Sequence, residues 1–296
     1  MRSSAAIRGS SVLITGAGSG IGRALALRCA ELGARHLLLW DRSKVALESC
    51  REDILEQSRN QVQPALASHQ PEVLPMIRTF VVDVSDAGEI TEAARRIVSP
   101  QEDASGVVAV PDILINCAGI TTGDYFHSLH PDAIKQTIAV NVTGSMLVAR
   151  AFLPEMVKRR SGHIVNIASA SSYIGVPRLS VYAASKWAVL GWSESLRVEM
   201  KELGVPITIT AILPSFIKTG MFDGVKAPRL VPLLETEDIV EKILWSIEKR
   251  RTIVRAPVMV RAVPFLKVLL PQPMFDWVAG RMLGVYRSMD EFRGRW

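Results

Sequence analysis

Cysteine is scarce in this sequence, and its scarcity excludes a good deal. Only Cys29, Cys50 and Cys117 occur in 296 residues. They are scattered, odd in number and without metal-ligand spacing. That argues against a disulfide framework and a structural metal, and for a reducing compartment. Long apolar runs are missing as well. MRSSAAIRGS leads into SVLITG without the apolar stretch of about 7–15 residues that marks a secretory leader. No uncharged apolar run reaches the roughly 18 residues of a spanning helix. The expectation is a cytoplasmic protein that is neither secreted nor threaded through a bilayer. The body of the chain also lacks excess charge. From Lys249 to Trp296 there are ten Lys/Arg and three Asp/Glu, a net of +7, against +6 for the whole chain. A basic body would point to nucleic acid. Here the basic residues are confined to a tail, interleaved with Leu, Val and Pro, with no binding motif, so nucleic acid is not expected. Two readings fit that tail: a solvated basic C-terminus, or contact with an anionic surface such as a membrane.

Hydrophobic residues are present in quantity, 48% of the chain, enough for a large core. Short apolar runs read as strands at 11–16, 36–41, 79–84, 112–119, 163–169, 207–214 and 252–257. Several are continuous rather than alternating, as in strands covered on both faces. Helix-period segments lie between them, at IGRALALRCAELGA, SKVALESCREDILEQ, AGEITEAARRIV, 131–160, 182–204 and TEDIVEKILWSIEKR. This alternation predicts the α/β class, a doubly wound parallel sheet of the Rossmann type. A single domain over 1–256 accounts for the pattern, followed by an apolar, basic C-terminal extension over 257–296. Two long connections, 57–77 and 99–111, read as surface insertions.

The first strand runs into T-G-A-G-S-G-I-G, Thr15 to Gly22, and then a helix. Gly16, Gly20 and Gly22, with Ser19 and Ile21 between them, allow a tight turn and close approach of backbone to a pyrophosphate. The helix start supplies N–H groups and a favourable dipole. Strand, glycine turn and helix in that order mark a dinucleotide cofactor site. Asp41 ends the second strand, where a carboxylate can accept both adenosine-ribose hydroxyls and repel a 2′-phosphate. It favours NAD; the adjacent Arg42 keeps NADP open. Capping of the next helix is the plainer role for Asp41. Asp83 and Val84 follow the third strand, where an adenine would rest, although Asp83 equally reads as a helix cap. Asn116, Ala118 and Gly119 end the fourth strand with small residues suited to backbone running close to the cofactor. Cys117 reads as a buried apolar residue, not a nucleophile.

Tyr182 and Lys186 stand four apart on a predicted helix and share a face. A phenol titrates at about 10. A nearby ammonium should lower that value and make the phenol a usable general acid/base. Ser169 ends the fifth strand, where its hydroxyl can orient a substrate oxygen. Asn141, after the fourth strand, could hold a water against Lys186.

These residues, T-G-A-G-S-G-I-G, N-C-A-G (116–119), Asn141, Ser169 and Y-A-A-S-K (182–186), resemble the short-chain dehydrogenase/reductases in order and spacing, over about residues 10–255. The resemblance implies Tyr182 as general acid/base and Lys186 as modulator of its pKa and ligand of the nicotinamide ribose. It implies Ser169 as substrate orienter and Asn141 as a proton-relay member. Pro214 and Thr219 fall at family positions around the nicotinamide, Thr219 where the carboxamide is bound. Ser215 departs from the family's usual glycine after that proline.

Further along, MFDGVKAPRL-PLL (221–234), PFLKVLLP (264–271), FDWVAG (275–280) and SMDEFRGR (288–295) resemble the branch with lipid-droplet 17-beta-hydroxysteroid dehydrogenases and membrane retinol dehydrogenases. That branch implies a lipophilic alcohol or ketone: a steroid, retinoid or long-chain alcohol. Its members usually begin with an apolar anchor. None opens this sequence, so any contact with a membrane or lipid droplet is expected through 258–285. The alternative is that the tail packs over the active-site mouth. Tyr173, Ile174, Phe216, Met221 and Phe222, with Ser169, are the expected substrate wall. Apolar surface on helices 131–160 and 182–203, the dimer elements of the family, predicts a homodimer. Two other functions stay open at this point: an NADPH-dependent reductase of carbonyl or 3-oxoacyl lipids, supported by Arg42, and a non-enzymatic lipid-surface scaffold.

Overall fold

The computed structural model describes residues 5–65, 75–99 and 110–294. Seven parallel strands form one sheet in the order β3-β2-β1-β4-β5-β6-β7. In chain order the elements are β1 (Ser11–Thr15), α1 (Gly20–Glu31), β2 (His36–Asp41), α2 (Lys44–Ala65), β3 (Met76–Val81), α3 (Ala87–Val98), β4 (Ile113–Asn116), α4 (Pro131–Ile138) and α5 (Ser145–Lys158). Then come β5 (Gly162–Ile167), α6 (Ser180–Glu202), β6 (Ile207–Pro214), α7 (Thr236–Glu248) and β7 (Ile253–Ala256). Two short helices, α8 (Val263–Leu269) and α9 (Gln272–Asp276), belong to the extension.

Continuous apolar strands arise because both faces of the sheet are covered. On β1, Val12 and Ile14 enter the cluster under α1, α2 and α7, while Leu13 enters the opposite one under α3, α5 and α6. Each fully buried Leu or Ile contributes about 1.5–3 kcal/mol relative to exposure. Helix faces follow the same logic. Asp86 caps α3 by accepting from the N–H groups of Gly88 and Glu89, and Ile90, Ala93, Ala94 and Ile97 form its buried stripe. The order in which successive strands are laid down reverses between β1 and β4, so a crevice opens at their carboxyl ends.

Three expectations need correcting. β3 begins at Met76, three residues before the predicted run, and ends at Val81. Pairing with β2 fixes this: Asp41 lies opposite Val81, so Val82, Asp83 and Val84 run past the sheet. As an edge strand β3 is half exposed, and its apolar run is not its hydrogen-bonded run. Secondly, α2 continues to Ala65 through residues read as an insertion. Its added turns are polar and carry no apolar period to betray a helix. The rest of that insertion, and most of 99–111, lie outside the described residues. Thirdly, the predicted helix 131–160 is interrupted. A π-helical segment, Ala139–Gly144, joins α4 to α5. The whole stretch 131–158 is long and apolar enough to cross a membrane, but half of its most apolar window is buried within the fold.

The extension does not stand apart. After a turn at Val258–Arg261, α8 and α9 lie over the carboxyl edge of the sheet, followed by a π-helical segment, Trp277–Met282. The chain then returns across the loop after β6. Arg229 N–H donates to Leu283 O (2.7 Å), Lys226 N–H to Ser288 O (3.0 Å) and Arg293 N–H to Asp223 O (2.9 Å). Lys226 and Glu291 form an ion pair there.

Candidate active site

The crevice at the ends of β1 and β4 is a cleft of about 480 Å³. Its floor is the glycine turn. Gly16 has φ +69, and a Cβ there would meet the Ala118 Cα at 2.9 Å; at Gly22 a Cβ would stand 2.1 Å from the Gly16 carbonyl oxygen. Both glycines are needed to seat α1 against the turn, whatever binds above. Ser19 sits at the N-cap of α1 without capping it through its side chain, and the first turn has no acidic residue. The helix start is therefore open to an anion.

Asp41 lines the cleft, and its carboxylate also builds the turn. Oδ2 accepts from the Gly18 N–H (2.9 Å) and Oδ1 from the Ser43 N–H (3.0 Å). Each oxygen keeps a lone pair for a ribose hydroxyl. Helix α2 is capped by Ser43, whose hydroxyl accepts from the Ala46 N–H at 3.3 Å, not by Asp41. Arg42 lies exposed on the cleft rim. Asp83 accepts from the N–H and hydroxyl of Ser85, and the cap of α3 falls to Asp86. Val84 lines the cleft with Asp83, as do Ser19, Gly20, Ile21, Ala118, Gly119, Pro214 and Thr219.

Asn116 is the exception among the predicted cofactor residues. Its side chain is buried behind the cleft, where the amide donates to Ser145 O (3.2 Å) and to Asn166 Oδ1 (2.9 Å). It braces β4 against β5 and α5. The close approach of backbone is arranged by Thr15, whose hydroxyl accepts from the N–H groups of both Cys117 and Ala118 at 3.1 Å. Cys117 reaches the cleft, but burial pushes its thiol up to about 12, so it is no thiolate nucleophile. Ser215 replaces the family's glycine without strain, since it is not among the described residues with positive φ.

Tyr182, Lys186 and Ser169 converge on the cleft. The Lys186 Nζ lies 5.6 Å from the Tyr182 ring centroid and donates to Ile167 O at 2.8 Å. The predicted lowering of the phenol pKa is not what this geometry produces. Burial pushes Tyr182 up to about 12, opposed only by the Ser169 hydroxyl beside it. Burial likewise brings Lys186 down to about 8. Removal from water disfavours the charged form of each group. Asn141 and Lys186 both lie beside Gly119, and the Asn141 side chain is engaged. Its amide donates to Ile120 O and to the Ser185 hydroxyl, both at 2.9 Å, while its oxygen accepts from the Ile120 N–H at 2.8 Å. Its side chain thereby clamps β4's exit loop to α6. Ser185 completes that clamp by donating to Tyr182 O at 2.7 Å.

Of the predicted substrate wall, Ile174, Phe216, Met221 and Phe222 line the cleft. Phe222 packs edge-on against the Tyr182 ring, centroids 5.8 Å apart. Tyr173 does not line it. Its hydroxyl accepts from Arg255 on β7 (2.8 Å), and its ring packs with Val189, Leu190 and Leu213. Composition could not have told which of two neighbouring residues in a short turn faces inward. The extension supplies walls that were not predicted residue by residue: Val260, Leu266, Phe275, Val278 and Val285. The reading in which the tail packs over the active-site mouth describes one side of it. One side packs over the mouth, while Phe265, Val268, Leu269, Met274 and Trp277 remain exposed.

Fold and cleft together are those of a dinucleotide-dependent oxidoreductase. A profile of the short chain dehydrogenase family matches residues 10–229. Epidermal retinol dehydrogenase 2 of Mus musculus is 36% identical over 294 residues, covering 98% of this chain and 87% of its own. Estradiol 17-beta-dehydrogenase 11 of Homo sapiens is 33% identical over 268 residues, covering 90% and 81%. Among solved structures, a short-chain dehydrogenase from Sphingobium yanoikuyae in complex with NADPH superposes with a TM-score of 0.70 at 27% identity, covering 89% of this chain and 97% of that one. One from Burkholderia phymatum in complex with NAD shares the fold, with a TM-score of 0.72 at 23% identity over 92% and 98%. The chain belongs to the short-chain dehydrogenase family, in the branch of the retinol and estradiol dehydrogenases, and is an oxidoreductase acting on CH–OH groups.

Proposed function

We propose that the protein interconverts an alcohol and a carbonyl on a lipophilic substrate, a steroid, retinoid or long-chain alcohol. The observation that carries this is a single cleft with the Ser169, Tyr182 and Lys186 side chains on one wall and apolar residues of the loop after β6 and of the extension on the other. NAD or NADP fits the cleft's other end. An uncapped helix start, a turn too tight for any Cβ at Gly22 and the Asp41 carboxylate suit a diphosphate and a diol. When bound, that cofactor supplies the carbon that accepts or delivers the hydride. The rest is done by side chains of this chain. Ser169 orients the substrate oxygen. The Tyr182 oxygen takes the alcohol proton in oxidation and returns it in reduction. Lys186 holds a positive charge under the phenolate, and the clamp through Asn141 and Ser185 fixes the helix carrying both. Initial rates with estradiol, retinol and a long-chain secondary alcohol, each with NAD and NADP, test the reading. Silence across the panel despite cofactor binding by calorimetry would overturn it.

Asp41 makes NAD the favoured cofactor. Asp41→Ala should weaken NAD and improve NADP, measured as the ratio of their KM values; equal loss of both would refute the assignment. The same variant loses two hydrogen bonds to a charged group, each worth about 1.5–3 kcal/mol, so its Tm should fall as well. Arg42 on the rim supports the second reading, an NADPH-dependent reductase of carbonyl or 3-oxoacyl lipids. The panel separates the two by cofactor.

The exposed side of the extension is read as a contact with a membrane or lipid droplet. Phe265, Val268, Leu269 and Trp277 are exposed beside the basic Arg261, Lys267, Arg281 and Arg287. Residues 1–256 are read as the catalytic domain and 257–296 as an extension serving it. Exposed Val198 on α6 and Leu203 at its C-cap suit a homodimer across the long helices. Light scattering should give twice the 32.4 kDa chain mass, and a monomer would refute it.

A further inference from the structure

A serine hydroxyl has one proton to donate and two lone pairs to receive. At Ser169 the surroundings decide which way that proton points. Ser169 and Ser171 both line the cleft, and both are buried. Their hydroxyl oxygens lie 2.7 Å apart, and the Ser171 N–H reaches the Ser169 Oγ at 3.2 Å. Among the described residues, Ser171's hydroxyl has no other hydrogen-bond partner than Ser169's. If Ser169 donated to Ser171, the Ser171 proton would have no protein acceptor among the described residues, an arrangement that leaves the pair one hydrogen bond short. In the opposite arrangement every proton is placed. Ser171 donates to Ser169 through both its N–H and its O–H, filling the two lone pairs. The Ser169 proton is then free for the cleft, on the side where the Tyr182 phenol lies.

We propose that Ser171 is a positioning residue for the reaction: by donating to Ser169 it fixes that hydroxyl as a hydrogen-bond donor toward the substrate oxygen. This rests on the reading of Ser169 as the group that orients that oxygen. Developing negative charge on an alkoxide needs a donor and is not helped by a lone pair, so the polarity of Ser169 matters most in the transition state. The backbone holds the pair in register. Ser169 opens the short turn Ala170–Ser172, and the next hydroxyl along, Ser172, donates to Lys186 O at 2.7 Å, tying the turn to the catalytic helix.

The test uses the full-length protein with saturating NAD or NADP and whichever alcohol of the panel is turned over. Ser171→Ala should lower kcat about tenfold, the loss of one donor acting in the transition state, with KM and cofactor affinity within roughly twofold. Ser171→Thr keeps the hydroxyl and should recover kcat to within about threefold of the parent. The Ser169→Ala/Ser171→Ala double variant should be no slower than Ser169→Ala alone, because Ser171 acts through Ser169. A second readout needs no turnover. In the ligand-free protein, the phenolate absorbance that is lost in Tyr182→Phe should titrate at higher pH in Ser171→Ala, where Ser169 is no longer held as a donor. Additive losses in the double variant, or an unmoved kcat and titration in Ser171→Ala, would overturn the proposal while leaving Ser169 in its role. Parental turnover by Ser169→Ala would remove the reading beneath it. Should Ser171→Ala fold poorly, Ser171→Cys offers the same shape with a weaker donor. Its kcat should fall below the parent's, and a parental rate would overturn the proposal.

Discussion

Tyr182→Phe should lower turnover by roughly 10²–10⁴-fold, the usual worth of a positioned general acid/base, without unfolding the protein or weakening its cofactor. The ring is buried and packs edge-on against Phe222, within a cluster that includes Val176, Leu179 and Met289. Phenylalanine keeps all of that packing. What it removes is one hydroxyl whose neighbour is Ser169. The clamp that holds this part of α6 engages the Tyr182 carbonyl, which the substitution leaves in place. Calorimetric titration with NAD should match the parent, as should Tm. A variant retaining a tenth of the rate would move the proton-transfer role elsewhere.

The pH profile of the parent belongs to the same argument. Alcohol oxidation needs the phenolate, and burial holds the phenol at about 12 in the ligand-free protein. Oxidation should therefore climb with pH through the neutral and alkaline range. Carbonyl reduction needs the protonated phenol, so it should stay level over the same range. Lys186 works against the climb. Its ammonium, brought down to about 8 by burial, is lost as the pH rises through that value, and with it the charge that favours phenolate. The oxidation profile should therefore be shallower above pH 8 than below it. In Tyr182→Phe the residual rate should lose the dependence altogether.

The fold could be read from the sequence wherever burial left a pattern. Both-face coverage makes β2 a continuous apolar run, and the ends of β2 and β6 coincide with those expected, Asp41 and Pro214. The amphipathic α3 also falls where predicted, Ala87 to Val98. Pattern failed where pairing or solvent decided. The register of β3 comes from its neighbour, and the polar end of α2 has no period to display. At the site, the glycine turn, Ser169, Tyr182 and Lys186 are given by type and spacing, because the chemistry demands those groups at those points. What escaped is orientation. Nothing local distinguishes Asn116, turned into the sheet, from Ala118, which borders the cleft. Tyr173 and Ile174 are adjacent, and only the position of Arg255, far along the chain, draws one of them outward. The sign of the Tyr182 shift was missed for a related reason. The i, i+4 spacing reports a nearby charge but not how little water surrounds it.

The exposed side of the extension gives the other large expected effect. Val268 and Leu269 are 86% and 75% exposed and do not line the cleft. Val268→Glu with Leu269→Glu should leave the fold, and turnover of a dispersed short-chain alcohol, unchanged. Partition onto anionic phospholipid vesicles should fall by a hundredfold or more: seating two such side chains in lipid is worth about 1.5–3 kcal/mol each, and the new carboxylates face the headgroups' own charge. Truncation at residue 257 would be a poorer test. It removes Val260, Phe275, Ala279 and Met289, all buried, and at about 1.5–3 kcal/mol for each large side chain that is a substantial part of a typical domain's stability of about 5–15 kcal/mol. It also strips the cleft of Leu266, Phe275 and Val285. Loss of activity in the truncated chain would confuse a missing wall with a missing anchor. The double glutamate variant separates them, because only the outward side of α8 changes. Unchanged partition onto vesicles would show that Val268 and Leu269 do not seat in lipid, and would remove the reading of α8 as a membrane contact.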